Sequence, residues 1–447
     1  MTTLDLANIQ GFVIRGYRLP YAAYEFLRID DAGRARALLR EVLPQVITAA
    51  RWSEKPESGI NVAVSHAGLR ALGVADASLG AFPEEFRVGM AARADRLGDT
   101  GESAPEHWEE CFREGEAHVL VMVSAKDDAA LRARDERLRA AVAEAGGLTV
   151  VGKHSGAALE GGREHFGYAD GFSQPSIEGS EFEPQPGEGA PPGKDGKWRP
   201  LRAGEFLLGY ADEQETITPA PPPDAFGVNG SYLVYRKLEQ DVAGFRRALR
   251  EAAATYPGGE ELLAAKLVGR WRDGTPLDLS PDRPNPELVA DVTRGNAFDY
   301  RDDPDGLRCP IGSHVRRMNP RHSLPFDGKL VNRHRMIRRG ITYGERLPEG
   351  AEDDGQERGV IFMCLQGSIA RGFEFVQSQW ANGGNAFRLA QDQDPIVGPQ
   401  DTAGPAKMTV PGHPPFFMGP LSRVVTMRGG EYYFTPGVNG LRYLAEG

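Results

Sequence analysis

The residues of this chain that could do chemistry lie in a few short stretches. Asp170 stands in Gly167-Tyr168-Ala169-Asp170-Gly171, followed by Phe172-Ser173-Gln174-Pro175. Glycines on either side let the backbone turn sharply and approach a flat ligand, presenting the carboxylate on a surface of small residues. The same composition also makes an Asx-type turn with no ligand. His314 stands in Gly312-Ser313-His314-Val315-Arg316-Arg317-Met318-Asn319-Pro320-Arg321. A histidine met alone is more often a surface or satisfied core residue than a ligand. Asp394, in Asp394-Pro395-Ile396, is a carboxylate that a fold could bring behind His314, where it would fix the ring and make it a stronger donor. Arg338 and Arg339 open Arg338-Arg339-Gly340-Ile341-Thr342-Tyr343-Gly344. In isolation such a pair is solvated surface charge, and Tyr343 a turn aromatic.

Taken together, these groups form the inventory of a peroxidase. It needs an imidazole on haem iron, an acid/base to carry the peroxide proton between oxygens, and a fixed cation for the charge that develops as the O–O bond breaks. Two other readings use the same residues. One is a haem-binding or haem-handling protein without turnover; the other is a scaffold in which His314 and the acids are structural. A metal-dependent hydrolase is disfavoured, because there is no HExxH and no close His/Asp cluster.

The GYADG pentapeptide, the SHVRRMNPR and RRGITYG stretches, and the later FMCLQGSIARGFEFVQSQWAN and DPIVG segments resemble a dye-decolourising peroxidase of the long form shared by fungal and larger bacterial members. The likeness runs from about Ile9 to the C-terminus. It implies an α+β fold of two ferredoxin-like halves, with antiparallel sheets enclosing a haem pocket, and one non-covalent haem b per chain. By the same resemblance Asp170 would be the distal acid/base and Arg338, first of its pair, the distal arginine. His314 would be the axial ligand and Asp394 the acceptor behind it. Gly171 and Phe362 would line the pocket, and Arg321 would reach a haem propionate. Tyr343 would be a candidate surface radical site, although Thr342 stands before it where many fungal members have proline. The implied partners are hydrogen peroxide and aromatic reducing substrates such as dyes and phenols. A carboxylate base, with a reference pKa of about 3.9 against about 6.5 for histidine, implies an acidic activity optimum.

The elements that must position these groups alternate. Ala22 to Ile29 reads as a strand, and Asp30/Asp31 cap a helix through ARALLREVLPQVITAA with a kink at Pro44. Gly59 to Ser65 is a second strand, with helical sequence from there to Arg96, and His118 to Ser124 is a third. A helix from Asp127 to Ala145 ends at Gly146-Gly147, before a fourth strand, Leu148 to Val151. That order is the split βαβ arrangement. A looser repeat follows: strand Tyr232 to Lys237, helix Asp241 to Tyr256, strand Val360 to Leu365, helix Ala370 to Trp380, strand Glu431 to Phe434. In that last helix Phe373 and Trp380 share one face and read as core. Proline-rich tracts at Pro184 to Pro200 and Pro219 to Pro223 set the expected division at 1–200 and 201–447. An insertion from about 257 to 357 carries His314 and Arg338.

Composition bounds the partners. The 447 residues carry 52 Lys+Arg against 63 Asp+Glu, a net charge of −11, which argues against nucleic acid or anionic lipid. Cys111, Cys309 and Cys364 are far apart and form no CxxC or CxxCH, so neither disulfides nor covalent haem attachment is expected. The opening MTTLDLANIQGFVIRGYRLP has no basic n-region or apolar h-region, and no apolar run is long enough to cross a bilayer; the expectation is a cytoplasmic chain. Oligomeric state is not written in these motifs.

Overall fold

The computed structural model describes residues 3–192, 196–326, 328–399 and 406–447. The first half is built from β1 (Tyr21–Ile29), α1 (Ala32–Val42), β2 (Ser58–Val64), β3 (Val119–Ala125), α2 (Asp128–Ala145) and β4 (Leu148–Ala157). Its strands lie in the order β4-β1-β3-β2, all antiparallel, which is the ferredoxin-like 4-1-3-2 pattern. Asp31 starts α1 by accepting from the Arg34 N–H, and Ala35, Leu38, Leu39 and Val42 repeat at helical spacing to give it a buried stripe. Each such leucine contributes on the order of 1.5–3 kcal/mol on burial. Asp127 caps α2 in the same way, through the Ala130 N–H.

The second half repeats the order with more inserted chain. Its elements are β5 (Ser231–Gln240), α3 (Val242–Ala253), α4 (Gly259–Val268), α5 (His314–Met318), β6 (Ile337–Arg338), β7 (Ile341–Tyr343) and β8 (Gly359–Gln366). After a ribbon of β9 (Ala406–Val410) and β10 (Phe416–Leu421) come β11 (Val425–Thr435) and α6 (Val438–Glu446). Its sheet order is β11-β5-β8-β6, again 4-1-3-2 if β6 is counted as the second strand of the unit. The halves meet where β11 pairs with β2 through Phe434 and Val64, giving one nine-stranded sheet in which β7 also pairs with β8. The far ends approach each other: Thr342 Oγ1 donates to Ala157 O at 2.5 Å, and a Cβ on Gly156 would collide with Ile341. The sheet therefore curls toward a barrel around an aromatic interior that includes Tyr24, Phe26, Phe112 and Tyr235.

The structure amends several expectations. The first helix ends at Val42 and gives a tight turn at Leu43–Gln45, because Pro44 removes a donor. The helical stretch before Arg96 is a chain of short helices broken at Gly73, Pro83 and Gly89. The fourth strand runs to Ala157, well past Val151. The expected helix from Ala370 to Trp380 is two wide-turned π segments, Ala370–Glu374 and Val376–Ala381, with Phe373 and Trp380 both buried. β6 and β7 are too short for any periodicity to announce them.

One apolar core runs across the expected division near residue 200. Helix α6, at the C-terminus, packs beside α1, where Arg40 Nη1 donates to Ala445 O at 2.5 Å, and Gln10 Nε2 donates to Pro436 O at 2.9 Å. No helix among the described residues is long and apolar enough to cross a membrane.

Candidate active site

His314 is the first residue of α5, whose start is set by Ser313 in extended geometry. Its Nδ1 lies 2.9 Å from Asp394 Oδ2. Asp394 is fully buried, and its other oxygen accepts from the backbone N–H groups of Ile396 and Val397, each at 2.9 Å. Burial pushes this carboxyl up, but the charge and hydrogen bond of His314, with the Val397 N–H and Arg317, outweigh it and hold it below the usual carboxylate range. For His314 the balance is reversed in sign. Burial pushes the imidazole down, Asp394 more than restores it, and smaller influences come from Arg338, which lowers it, and Asp170, which raises it. The three groups therefore share one electrostatic neighbourhood, although 144 residues separate Asp170 from His314.

Asp170 sits on the loop after β4. Gly167 (φ 98°) and Gly171 (φ 92°) take left-handed backbone that side chains disfavour. The loop is held from beneath by Glu164, whose carboxylate accepts from the Phe166 and Tyr168 N–H groups at 2.8 and 2.9 Å. Asp170 N donates to Gly162 O, so the backbone is fixed while 65 % of the side chain stays open. Arg338, on β6, faces it with Nη1 3.6 Å from Asp170 Oδ1. Arg338 is itself fixed: Nη2 donates to Phe172 O at 2.6 Å and its backbone N–H to Gln174 Oε1 at 3.0 Å. Phe362 is half-buried on β8, in register with Arg236 and two residues from Cys364, the partner of Arg338, so it shares that face of the sheet.

The residues fit a haem. Among the described residues no side chain hydrogen-bonds His314 Nε2, and the nitrogen on the other side of the ring is already committed to Asp394. That leaves one imidazole lone pair for a metal, with its tautomer and orientation fixed from behind. A Cβ added to Gly171 would meet nothing within 4 Å, so there is open space next to Asp170. All three cysteines are free and buried, so none offers a covalent tether.

Two expected residues are placed differently. Arg321 is buried, and the N–H groups of its two terminal nitrogens go to Asn296 O, Phe298 O, Asn296 Oδ1 and Ser173 Oγ while its guanidinium lies 3.8 Å from the Phe298 ring centroid. These donors tie loops together and are not left over for a propionate. Tyr343 is only 8 % exposed, under Lys237 at 5.1 Å from the ring, with a hydroxyl that has no partner among the described residues. It is not a surface residue, because β7 packs it against the body of the sheet.

Other supporting residues carried no signal of their own in the sequence. Gln174 and Glu164 hold Arg338 and the Asp170 loop. Arg317, buried in α5, donates to Gly312 O, Trp380 O, Gly383 O and Asp392 O, tying the His314 helix to the π segment and to the loop of Asp394. Its place beside His314 in the SHVRRMNPR stretch was the one available clue.

Comparison with known proteins identifies the family. Residues 8–158 match the family model of the DyP dimeric alpha+beta barrel domain. The chain is 33% identical to the multifunctional dye peroxidase DyP2 of Amycolatopsis sp., covering 99% of this chain and 96% of that one. It is 30% identical to the dye-decolorizing peroxidase msp1 of Mycetinis scorodonius over 98% of this chain and 87% of its relative. Among solved structures it is similar to an ancestral D-type dye decolorizing peroxidase (TM-score 0.86, 31% identity, 99% of both chains). It is also similar to a dye-decolorizing peroxidase in complex with 2,6-dimethoxyphenol (TM-score 0.82, 29% identity, 99% and 100%).

Proposed function

Because this chain belongs to the dye-decolourising peroxidase family, a family of haem-dependent oxidoreductases, we propose that His314, Asp394, Asp170 and Arg338 are its working parts. The observation that carries the reading is the pinned imidazole with a free nitrogen, within electrostatic reach of a carboxylate and a guanidinium that lie 3.6 Å apart. His314 would hold the iron of one non-covalent haem b through Nε2, and Asp394 would keep Nδ1–H directed away from the metal. Bound there, the haem supplies the iron and the electrons for reductive cleavage of a peroxide O–O bond.

The chain's own residues do the rest. Asp170 would accept a proton from one peroxide oxygen and return it to the other, which leaves as water. Arg338, held by Phe172 O and Gln174, supplies a fixed positive charge where negative charge develops, without having to reorganise. The open side chain of Asp170 lets a small oxidant reach it. Dyes and phenols are the reducing substrates, one electron at a time; a relative solved with 2,6-dimethoxyphenol supports that class. The three free, buried cysteines suit a reducing compartment, and we place the chain in the cytoplasm on that ground.

Stopped-flow mixing of haem-loaded protein with hydrogen peroxide tests the assignment. Asp170→Asn should slow the second-order reaction by about 10²–10⁴-fold with the resting spectrum kept. A variant as fast as the wild type would remove Asp170 from the mechanism.

A further inference from the structure

Inside the barrel, away from Asp170, a second set of ionisable groups is joined end to end. Tyr235, on β5, is fully buried, and its hydroxyl lies 2.6 Å from His154 Nδ1 on β4. His154 Nε2 lies 2.5 Å from Glu109 Oε2, and the other oxygen of Glu109 accepts from Lys237 Nζ at 2.5 Å. Lys237 in turn meets Glu357 at 3.1 Å. Side-chain exposure is 6 % at His154 and 35 % at Glu109, and beyond Lys237, at 10 %, the series ends on Glu357, at 64 %. A continuous hydrogen-bonded chain thus leads from a buried phenol to water.

The roles within the chain follow from which atoms can donate. Glu109, salt-bridged to Lys237, is a carboxylate and accepts only, so His154 donates Nε2–H to it. In the neutral ring Nδ1 is then an acceptor, and the Tyr235 hydroxyl donates to it. Among the described residues no other buried phenol has such a base. The hydroxyls of Tyr343 and Tyr433 have no partner among the described residues, and that of Tyr432 faces Glu374, a carboxylate already held by Arg93 and Arg96. Burial holds the Tyr235 phenol well above its ordinary pKa, so it does not ionise unaided. Removing an electron from a neutral phenol makes its proton strongly acidic, and here a base stands ready for it.

Resting on the peroxidase reading above, we propose that Tyr235 is an internal one-electron donor, oxidised with transfer of its proton to His154. Arg338 pairs with Cys364 on β8, and Cys364 with Val234 on β5, so the backbone of Tyr235 lies two strands, ~10 Å, from that of the distal arginine, with its ring on the opposite face of the sheet, across a single layer of backbone. One electron leaves Tyr235 for the oxidised cofactor, which the peroxidase activity supplies with two oxidising equivalents. The phenolic O–H breaks, an Nδ1–H forms on His154, and Glu109 balances the imidazolium charge. An aromatic donor later returns the electron, and the proton goes back to the phenolate oxygen. The oxidising equivalent is thereby held in a tyrosine shielded from water until a donor arrives. His154 and Glu109 are positioning residues for this step.

Electron paramagnetic resonance of haem-loaded protein, freeze-quenched after one equivalent of hydrogen peroxide, tests the proposal. The wild type should give a tyrosyl radical that is lost in Tyr235→Phe. In His154→Gln, where the hydrogen bond changes but the tyrosine remains, the largest g-value should shift. In resting protein the ¹⁵N spectrum should show an unprotonated Nδ1 on His154 whose resonance moves in Tyr235→Phe. A wild type with no tyrosyl radical, a signal that survives in Tyr235→Phe or is unmoved in His154→Gln, or a protonated Nδ1 would overturn it. The Soret band separates the two readings: if peroxide shifts it but no Tyr235-dependent radical forms, this inference alone fails, and if peroxide leaves it unchanged, both fall.

Discussion

At the scale of single residues, the unit to test is the His314–Asp394 pair. Asp394 makes three hydrogen bonds, one to the imidazole and two to backbone N–H groups, and is fully buried. Replacing it by Asn keeps the size but removes the charge that holds the ring as a strong donor. Asp394→Asn should therefore weaken haem retention by about 10–100-fold, the usual loss when the hydrogen-bond partner behind a metal-binding histidine is replaced. Haem transfer to apomyoglobin would measure this, and a transfer rate equal to wild type would show that Asp394 does not tune the ligand. His314, Asp170, Arg338 and Asp394 were nameable because each sits in a short motif of chemically demanding residues. Arg321 and Tyr343 share those motifs but were read as pointing to the cofactor and to the surface. Motif membership does not say which way a side chain points, and the hydrogen bonds of Arg321 and the packing over Tyr343 depend on chain far away in sequence.

At the scale of elements, the turn Ala203–Glu205 carries a carboxyl in an uncomfortable place. Burial raises Glu205 to about 7, against 4.5 ordinarily, while the Glu213 N–H and Arg371 pull only partly the other way. The folded chain thus holds this proton more tightly than the unfolded one, so stability falls as pH rises from about 4.5 to 7 and stays lower above that. Glu205→Gln removes the charge but keeps the oxygen that accepts from Glu213. It should raise stability at pH 8 by up to about 3 kcal/mol and change it little at pH 5. Denaturant unfolding at the two pH values measures the difference; an equal effect at both would contradict the argument. Long elements with caps and periodic apolar faces, such as α1 and β3, were legible in sequence. β6 and β7 were not: two and three residues carry no period, and their strand geometry is imposed by pairing with β8. The π segments were read as ordinary helix because their wider turns leave no mark in composition.

For the whole molecule, two 4-1-3-2 units share one sheet, and the proposed site draws Asp170 from the first 200 residues and His314, Arg338 and Asp394 from the rest. The doubled strand–helix pattern made this two-lobed plan visible in sequence. The way the lobes join was not visible, since Phe434 pairing with Val64 and α6 lying beside α1 are contacts between the chain's extremes. Fragments 1–200 and 201–447 should therefore each fail to bind haem with a Soret band when made separately, and a band from either alone would contradict this shared construction. In the proposed site an imidazole at 314 holds a haem iron whose peroxide chemistry the Asp170 carboxylate and the Arg338 guanidinium direct. The most direct measurement is the absorption spectrum of haem-loaded wild type and His314→Ala, before and after one equivalent of hydrogen peroxide. The wild type should show a Soret band that shifts within the mixing time, and the alanine variant should lose the wild-type spectrum unless imidazole is added. An alanine variant with an unchanged spectrum and the same response to peroxide would contradict the account.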